Sequence, residues 1–318
     1  MCAAAAWVCE PSTRTSDKGR RMSHDQHTTQ DPTRQHPDSL PADQLEHPGL
    51  QSEMSHAPDF GEQSYRGTGK LEGRKAIVTG GDSGIGRAVA LAFAREGADV
   101  AISYLEAEQS DADETARVVR EAGRTALQLP GDLQDSGYCR TLVEQSVQGL
   151  GGVDILVNNA AYQMAREGLA DISEDELERT FRTNILAMFH TCKAALEHMR
   201  PGAAIINTAS IQAYQPDPML LAYAATKAAI VNFTKGLAQE AIEHGIRVNA
   251  VAPGPIWTPL IPATMPEDKV EDFGADESPM KRAGQPAELA PLYVFLASQE
   301  SSYVTGEVVG ATGGTPLS

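Results

Sequence analysis

The chain has 318 residues, 41% of them hydrophobic, enough to bury a sizeable core; length alone would suggest about two domains at ~150 residues each. Its 43 acidic against 26 basic residues give a formal charge of −17, which argues against nucleic acid and anionic membranes as partners, since both need a basic surface. No apolar run reaches about 18 residues, so no transmembrane helix is expected, and MCAAAAWVCE lacks the basic residues that precede the apolar run of a secretory signal.

Residues 1–70 are rich in Pro, Gln, His, Asp and Ser, with little apolar periodicity. Such a segment buries too little apolar surface to offset its ordering entropy, so a mostly disordered extension is expected. Its end, PDFGEQSYRGTGKLEG, could lie strapped across a neighbouring surface. Met22 opens a plausible alternative start, MSHDQHTTQDP, which would make residues 1–21 an upstream extension. His24, His27, His36, His47 and His56 scatter through this region with no helix or hairpin to gather them, and no metal site is expected. Cys2, Cys9, Cys139 and Cys192 form no CxxC pair and read as small buried hydrophobes or tail thiols, which suits a reducing, cytoplasmic location.

From Lys75 onward, short β-rich runs alternate with amphipathic helices. KAIVT is followed by IGRAVALAFAREG, and DVAISY by an Ala/Glu/Arg helix through REAG. TALQLPGD is followed by a helix through QSVQGLGG. VDILVNN precedes the long stretch ELERTFRTNILAMFHTCKAALEHM, AAIINTAS precedes the YAATK helix, and IRVNAVAPG and a short strand near GEVVG close the series. The strands are continuously apolar, as expected of parallel strands covered on both faces. Strand–helix repetition predicts one α/β domain over 71–318, a doubly wound, Rossmann-like parallel sheet of about seven strands with helices on both faces.

Three places in this pattern carry chemistry. TGGDSGIGRA follows the first strand and opens its helix, with Gly80, Gly84 and Gly86 spaced to let backbone approach a pyrophosphate at the helix N-terminus. Arg87 could add charge there or face solvent. Tyr223 and Lys227 stand four residues apart in YAATK, on one face of a helix. A free phenol, with pKa ~10, is a poor base near neutrality, and an adjacent ammonium would draw that value down. Ser210, thirteen residues before Tyr223, falls at the carboxyl end of AAIINTAS, the edge where open α/β sheets bind ligands.

In this combination and order, the TGxxxGxG turn, Asp132, Asn158–Asn159–Ala160, Asn184, Ser210, Tyr223, Lys227 and Pro253–Gly254 resemble the short-chain dehydrogenase/reductase family, over the whole body from Leu71. TGGDSGIGRA and the long polar tail look most like its bacterial aldehyde-reductase and glucose-dehydrogenase-like branch. The resemblance implies an NAD(P)-dependent oxidoreductase acting on a carbonyl or alcohol substrate such as an aldehyde, ketone or sugar. Tyr223 would be its acid/base, with Ser210, Lys227 and Asn184 completing the catalytic set. Asn184 would hold a water linking the lysine to solvent. The implied cofactor contacts are Gly80, Asp82, Ser83, Gly84, Ile85, Gly86, Tyr104, Asp132, Leu133, Asn159, Ala160, Tyr223, Lys227, Pro253, Gly254, Ile256 and Thr258. Ala161 replaces the family's usual glycine after Asn-Asn-Ala, tolerable only where φ is negative.

Tyr104 stands where an acid would select NAD and Leu105 where a base would suit NADP. The missing carboxylate tilts the expectation slightly to NADP(H) over NAD(H), with Glu106 able to turn toward the ribose. WTPLIPATMPEDKVEDFGADESPMKRAGQP reads as a mobile substrate lid. The family resemblance and the Ala-rich YAATKAAIVNFTKGLA face imply a homotetramer. A nucleotide-sensing protein without turnover is the alternative reading, although it would be expected to lose Tyr, Lys or Ser. A methyltransferase on the same general fold would have no use for YxxxK.

Overall fold

Ile77, buried on one face of the first strand, and Ala76 and Val78 on the other, are all inaccessible to solvent, and that two-sided burial organises the molecule. The computed structural model describes residues 31–34 and 39–318. The proposed upstream extension 1–21, Cys2, Cys9, His24, His27 and His36 lie outside the described residues. Seven parallel strands form one sheet: β1 (Lys75–Thr79), β2 (Asp99–Tyr104), β3 (Ala126–Pro130), β4 (Ile155–Asn158), β5 (Ala204–Thr208), β6 (Arg247–Pro253) and β7 (Val308–Ala311). Their order is β3-β2-β1-β4-β5-β6-β7, and Ala76 pairs with Val100 on one side and Ile155 on the other. The chain order reverses between β1 and β4, so the crevice at the carboxyl ends of these strands is the place such a sheet offers a ligand.

Helices α1 (Gly84–Arg95), α2 (Gln109–Glu121), α3 (Ser136–Leu150), α4 (Glu174–Phe181), α5 (Ala187–Leu196) and α6 (Leu221–Ala241) alternate with the strands. After β6 come the short α7 (Leu260–Thr264) and α8 (Glu267–Val270), then α9 (Pro286–Ala297). Val89 and Phe93 of α1 and Tyr293 and Leu296 of α9 pack with Val78, Val100 and Ile102 on one face. Leu142 of α3, Met188 and Cys192 of α5 and Ile230 of α6 pack with Ile77, Leu156, Ile205 and Val248 on the other. Period-2 alternation with both faces covered explains why the strands read as unbroken apolar runs. Cys139 and Cys192 are free thiols buried in the second of these layers. The chain is a single Rossmann-like domain.

Residues 39–70 depart from the expected disorder. Leu40, Met54 and Tyr65 are buried, and Leu40 and Met54 join Trp257, Ile261, Met265, Val270 and Phe273 in a third apolar cluster. The segment's polar backbone is satisfied by the body. Leu45 N donates to the Pro262 carbonyl (3.1 Å), His56 O accepts from the Trp257 indole (3.0 Å), and Asp59 O accepts from Ala287 N (2.9 Å). Asp111 caps the short 3₁₀ turn Gln51–Glu53 by accepting from Gln51 N and Ser52 N. The strap has no period because its described residues form no α-helix or strand, only the 3₁₀ turn Gln51–Glu53. Its apolar residues are spaced to meet pockets that other parts of the chain provide. The stretch read as a mobile lid is the other half of this cluster, with Trp257 wholly buried in it.

Removing residues 1–66 is therefore predicted to uncover Trp257 and its neighbours. With roughly 1.5–3 kcal/mol for each large apolar side chain buried, loss of Leu40, Met54 and Tyr65 should lower stability by several kcal/mol. In a Trp7→Phe background, where Trp257 is the sole tryptophan, truncation should red-shift the emission and lower Tm. Unchanged emission and Tm would mean the strap adds nothing to the fold.

Candidate active site

The phosphate turn is built by close approach. Gly80 has φ +60°, and its missing side chain leaves room for Ala160, whose Cα would lie 3.0 Å from an added Cβ. A Cβ on Gly86 would collide with the Gly80 carbonyl oxygen. Thr79 locks the turn to β4, its hydroxyl accepting from Asn159 N (2.9 Å) and Ala160 N (3.1 Å). The Asn159 amide in turn donates to the carbonyls of Thr79 and Gly80. Ser83 stands at the N-cap of α1 without a side-chain capping bond, so the first turn keeps N–H groups for an anion. Gly84 N is the exception: it donates to Gln51 Oε1 of the strap (2.9 Å).

Arg87 neither faces solvent nor points at the turn's mouth. Its guanidinium is buried, donating to the Asp82 carbonyl (2.8 Å), Thr115 Oγ1 (3.1 Å) and the Asp111 carbonyl (3.0 Å), with an ion pair to Asp111 at 3.4 Å. It braces α1 against α2, and the Asp111 it meets also holds the strap.

One solvent-open cavity, with about 1290 Å³ of empty space, runs past this turn and the carboxyl ends of the strands. It is lined by Gly80, Asp82, Ser83, Ile85, Tyr104, Asp132, Leu133, Asn159, Ala160, Ser210, Tyr223, Lys227, Pro253, Gly254, Ile256 and Thr258. Gly84, Gly86 and Asn184 do not line it. The two glycines stand behind the turn, where Gly84 packs against Thr258 and Gly86 against Gly80. Ala161 also lines the cavity, and its φ is not positive, so its methyl group introduces no backbone strain.

The catalytic candidates converge at the end of β5. Lys227, 2% exposed, donates to the Thr208 carbonyl (2.8 Å) and lies 5.1 Å from the centre of the Tyr223 ring. Ser210 accepts from Gln212 N, and its hydroxyl is close enough to the Tyr223 phenol to favour the phenolate. Burial pushes the Tyr223 phenol up to about 12, the Ser210 hydroxyl pulling the other way, and brings Lys227 down to about 7. The direction for Tyr223 is opposite to the lowering expected from the YAATK spacing, because desolvation penalises the phenolate. Asn184 lies in a π-helical turn, Arg182–Leu186, between α4 and α5. Its side chain accepts from Tyr162 N (2.7 Å) and donates to Tyr162 O and Thr226 Oγ1 (2.9 and 3.0 Å). It thereby fixes the loop after β4 to the helix that carries Tyr223.

Several lining residues had no motif to mark them: His47 and Pro48 of the strap, Ser103, Glu108, Tyr162, Arg179 and Thr183. Glu108 accepts from Leu105 N (2.8 Å), and its carboxyl is pushed up by burial and by nearby Asp82 and Asp111. Asp82 is pushed up as well, chiefly by burial. The one available signal was the density of acids in LEAEQSDADE, which reads as a solvated helix start. Glu106, which could have turned toward the ribose, is exposed and does not line the cavity. Among the described residues no group of three or more potential metal ligands occurs, and no helix is long and apolar enough to cross a membrane.

Comparison with known proteins points the same way as the geometry. Residues 80–315 match the family model described as enoyl-(acyl carrier protein) reductase. The uncharacterized oxidoreductase YghA of Escherichia coli (strain K12) is 53% identical over 93% of this chain and all of its own length. NADPH-dependent aldehyde reductase 1, chloroplastic, of Arabidopsis thaliana is 49% identical over 84% of this chain and 94% of its own. Among solved structures, a short-chain dehydrogenase from Burkholderia cenocepacia J2315 in complex with NADP superposes with a TM-score of 0.72 at 33% identity, covering 77% of this chain and 98% of the other. With the glycine turn, the serine, the tyrosine and the lysine meeting in one cavity of a seven-stranded parallel sheet, this chain belongs to the short-chain dehydrogenase/reductase family.

Proposed function

We propose that the protein is an NAD(P)-dependent oxidoreductase that interconverts a carbonyl and an alcohol, with Tyr223 as its acid/base. The observation that carries this reading is the convergence of Ser210, Tyr223 and Lys227 in the cavity that the phosphate turn opens into. The turn fits a dinucleotide: backbone lies bare at Gly80, and α1 offers uncapped N–H groups to a pyrophosphate. When bound, the nicotinamide supplies or accepts the hydride. The chain's own part is the proton and the positioning. A phenol at about 12 stays protonated at neutral pH and donates to a substrate oxygen as that oxygen gains charge. Ser210 offers a second hydroxyl to the same oxygen. Lys227, near 7, exchanges its proton in the physiological range while held against the ring. A sensing protein without turnover would have no use for this trio. Aldehydes stand first among the candidate substrates because a relative at 49% identity is named an aldehyde reductase; ketones and sugars follow.

NADP(H) is supported by the NADP complex of a similar structure. A second form, NAD(H), is favoured by one observation: Asp82 and Glu108 line the cavity with Tyr104 at the end of β2, where the adenosine ribose binds in such sheets. A 2′-phosphate would meet both acids. We further propose a cytoplasmic homotetramer. The apolar residues Leu177, Phe181, Leu186 and Phe189 stand exposed along α4, the π-helical turn and α5 and suit burial against a second copy, which sedimentation would test.

Tyr223→Phe is predicted to lower kcat by about 10²–10⁴-fold while leaving cofactor affinity nearly intact, read by aldehyde reduction and by nucleotide titration. Substantial turnover in this variant would remove Tyr223 from the mechanism. No turnover of any aldehyde, ketone or sugar by the wild type, despite tight nucleotide binding, would favour the sensing reading.

The acids beside the ribose also set a pH dependence. Both carboxyls are raised, so raising pH from 6 to 9 deprotonates them and turns neutral neighbours into anions. A 2′-phosphate, itself dianionic above ~6 as phosphate monoesters are, is then repelled more. The ratio of KM for NADP(H) to KM for NAD(H) should rise with pH, and Glu108→Gln should flatten that rise. Steady-state kinetics with both nucleotides across this range measures it; a flat wild-type ratio would dismiss the acids as discriminators.

A further inference from the structure

The lining of the cavity changes sign from one side of the sheet to the other. On the β2–β3 side stand Asp82, Glu108 and Asp132, and on the β4–β5 side the lining cations are Lys227 and Arg179. Lys227 is spent on Thr208 and Tyr223. Arg179 is not spent in the same way. Its guanidinium lies 4.3 Å over the Tyr162 ring, and Nη2 meets His47 Nδ1 at 3.3 Å. Both partners are neutral: burial, with Arg179 beside it, brings the imidazole down to about 4, and burial raises the Tyr162 phenol. The neighbouring arginines differ. Arg166 is paired with Glu176, and Arg182 with Glu178 at 2.6 Å. Among the described residues, Arg179 meets no carboxylate within ion-pair distance.

A guanidinium carries five N–H donors in a planar fork, and the one contact to His47 leaves most of them for a ligand. Stacking on Tyr162 fixes the plane of the fork. Tyr162 is itself fixed to the catalytic helix: its backbone is bonded to Asn184, Asn184 to Thr226, and Thr226 to the carbonyl of Tyr223. A short relay of hydrogen bonds thus sets Arg179 relative to the reacting phenol, and both face one cavity.

We propose that Arg179 is an anion subsite for the substrate, which is a small aldehyde, or the corresponding alcohol, carrying a carboxylate at the end remote from the reacting carbon. The charge count selects a singly charged group at the Arg179 end of the ligand. One unneutralised guanidinium compensates one carboxylate, whereas a phosphomonoester would place two charges against it with no second free guanidinium among the described residues lining the cavity. His47 completes the subsite from the strap, so residues outside the sheet domain shape substrate choice. This assignment rests on the oxidoreductase reading of the same cavity. The competing role for Arg179 is purely mechanical, a strut that holds the strap through His47.

Calorimetric titration of the intact protein saturated with NADP⁺, using succinate and, separately, butane-1,4-diol, needs no turnover. Succinate is expected to bind more tightly than the diol. Arg179→Met should weaken succinate at least tenfold and leave the diol within twofold, and Arg179→Lys should fall between. In parallel, kcat/KM for 4-oxobutanoate should fall at least tenfold in Arg179→Met, with butanal nearly unchanged. Wild-type protein that binds succinate no better than the diol overturns the proposal without any variant. So does an Arg179→Met protein that loses both aldehydes equally with a lowered Tm, which is the signature of a strut. Arg179-dependent succinate binding with neither aldehyde reduced would keep the subsite and sink the hydride-transfer reading instead. Reduction of butanal with no preference for either anion would sink the subsite alone.

Discussion

Lys227 is an amine on a four-carbon stem, buried to 2% exposure in the layer between the sheet and α6. Removing an ammonium from water is among the most expensive steps a fold can take, and here the group titrates instead, its pKa brought down to about 7. Its acceptor is the Thr208 carbonyl at the last residue of β5, and the Thr208 hydroxyl is bonded to Tyr293 of α9 on the opposite face of the sheet. One residue at the strand's end therefore ties α6 to α9. The strand's parallel ladder with β4 and β6 fixes where that carbonyl stands. The position of the Lys227 ammonium beside the Tyr223 ring follows from this placement.

Several polar residues buried in the layer under the cavity are partnered in the same way. Asn158 and Asn207, side by side on β4 and β5, share a hydrogen bond, and Asn207 passes on to Thr234 of α6 while Thr191 of α5 serves Asn158. These bonds cross the otherwise apolar layer under the cavity. In a low-dielectric layer an unpaired amide would cost about 1–3 kcal/mol, so the set fixes the register of α5 and α6 against the sheet. Asn184 performs the same service one layer outward, and its π-helical turn aims the side chain across to Tyr162 and Thr226.

The sheet, the glycine turn and the meeting of Ser210, Tyr223 and Lys227 were legible because they follow from local rules. Buried parallel strands leave continuous apolar runs, and a bare phosphate turn leaves glycines at fixed offsets. What stayed hidden depends on non-local partners. The strap from residue 39 to 70 is polar on average, and only the pockets of Trp257 and Phe273 give Leu40 and Met54 somewhere to go. Arg87 has the spacing of a phosphate ligand, yet Asp111, 24 residues later, claims it in the interior. Arg179 reads as one more charge on an acidic helix; its lack of a carboxylate becomes visible only when Glu176 and Glu178 are seen to be taken. The tyrosine shift had the wrong sign in prospect because spacing reports neighbours and says nothing of how much water is left around them.

A chain of charge −17 that receives an anionic dinucleotide is less paradoxical than its net charge suggests. At physiological salt the Debye length is about 8 Å, so most of the surface acids act on a buried pyrophosphate weakly. Contact groups decide instead. A helix N-terminus carries roughly half a positive charge, and that of α1 is left without a side-chain cap at Ser83. The acids that do lie within reach, Asp82 in the turn itself and Glu108 after β2, are themselves pushed toward the neutral form by burial. The cavity is thus graded: carboxyls at the end of β2, bare amides at the head of α1, and cations on the β4–β5 side of the sheet. Local placement of a few groups, against a strongly acidic background, is what allows one crevice to hold the opposite demands of both its ligands.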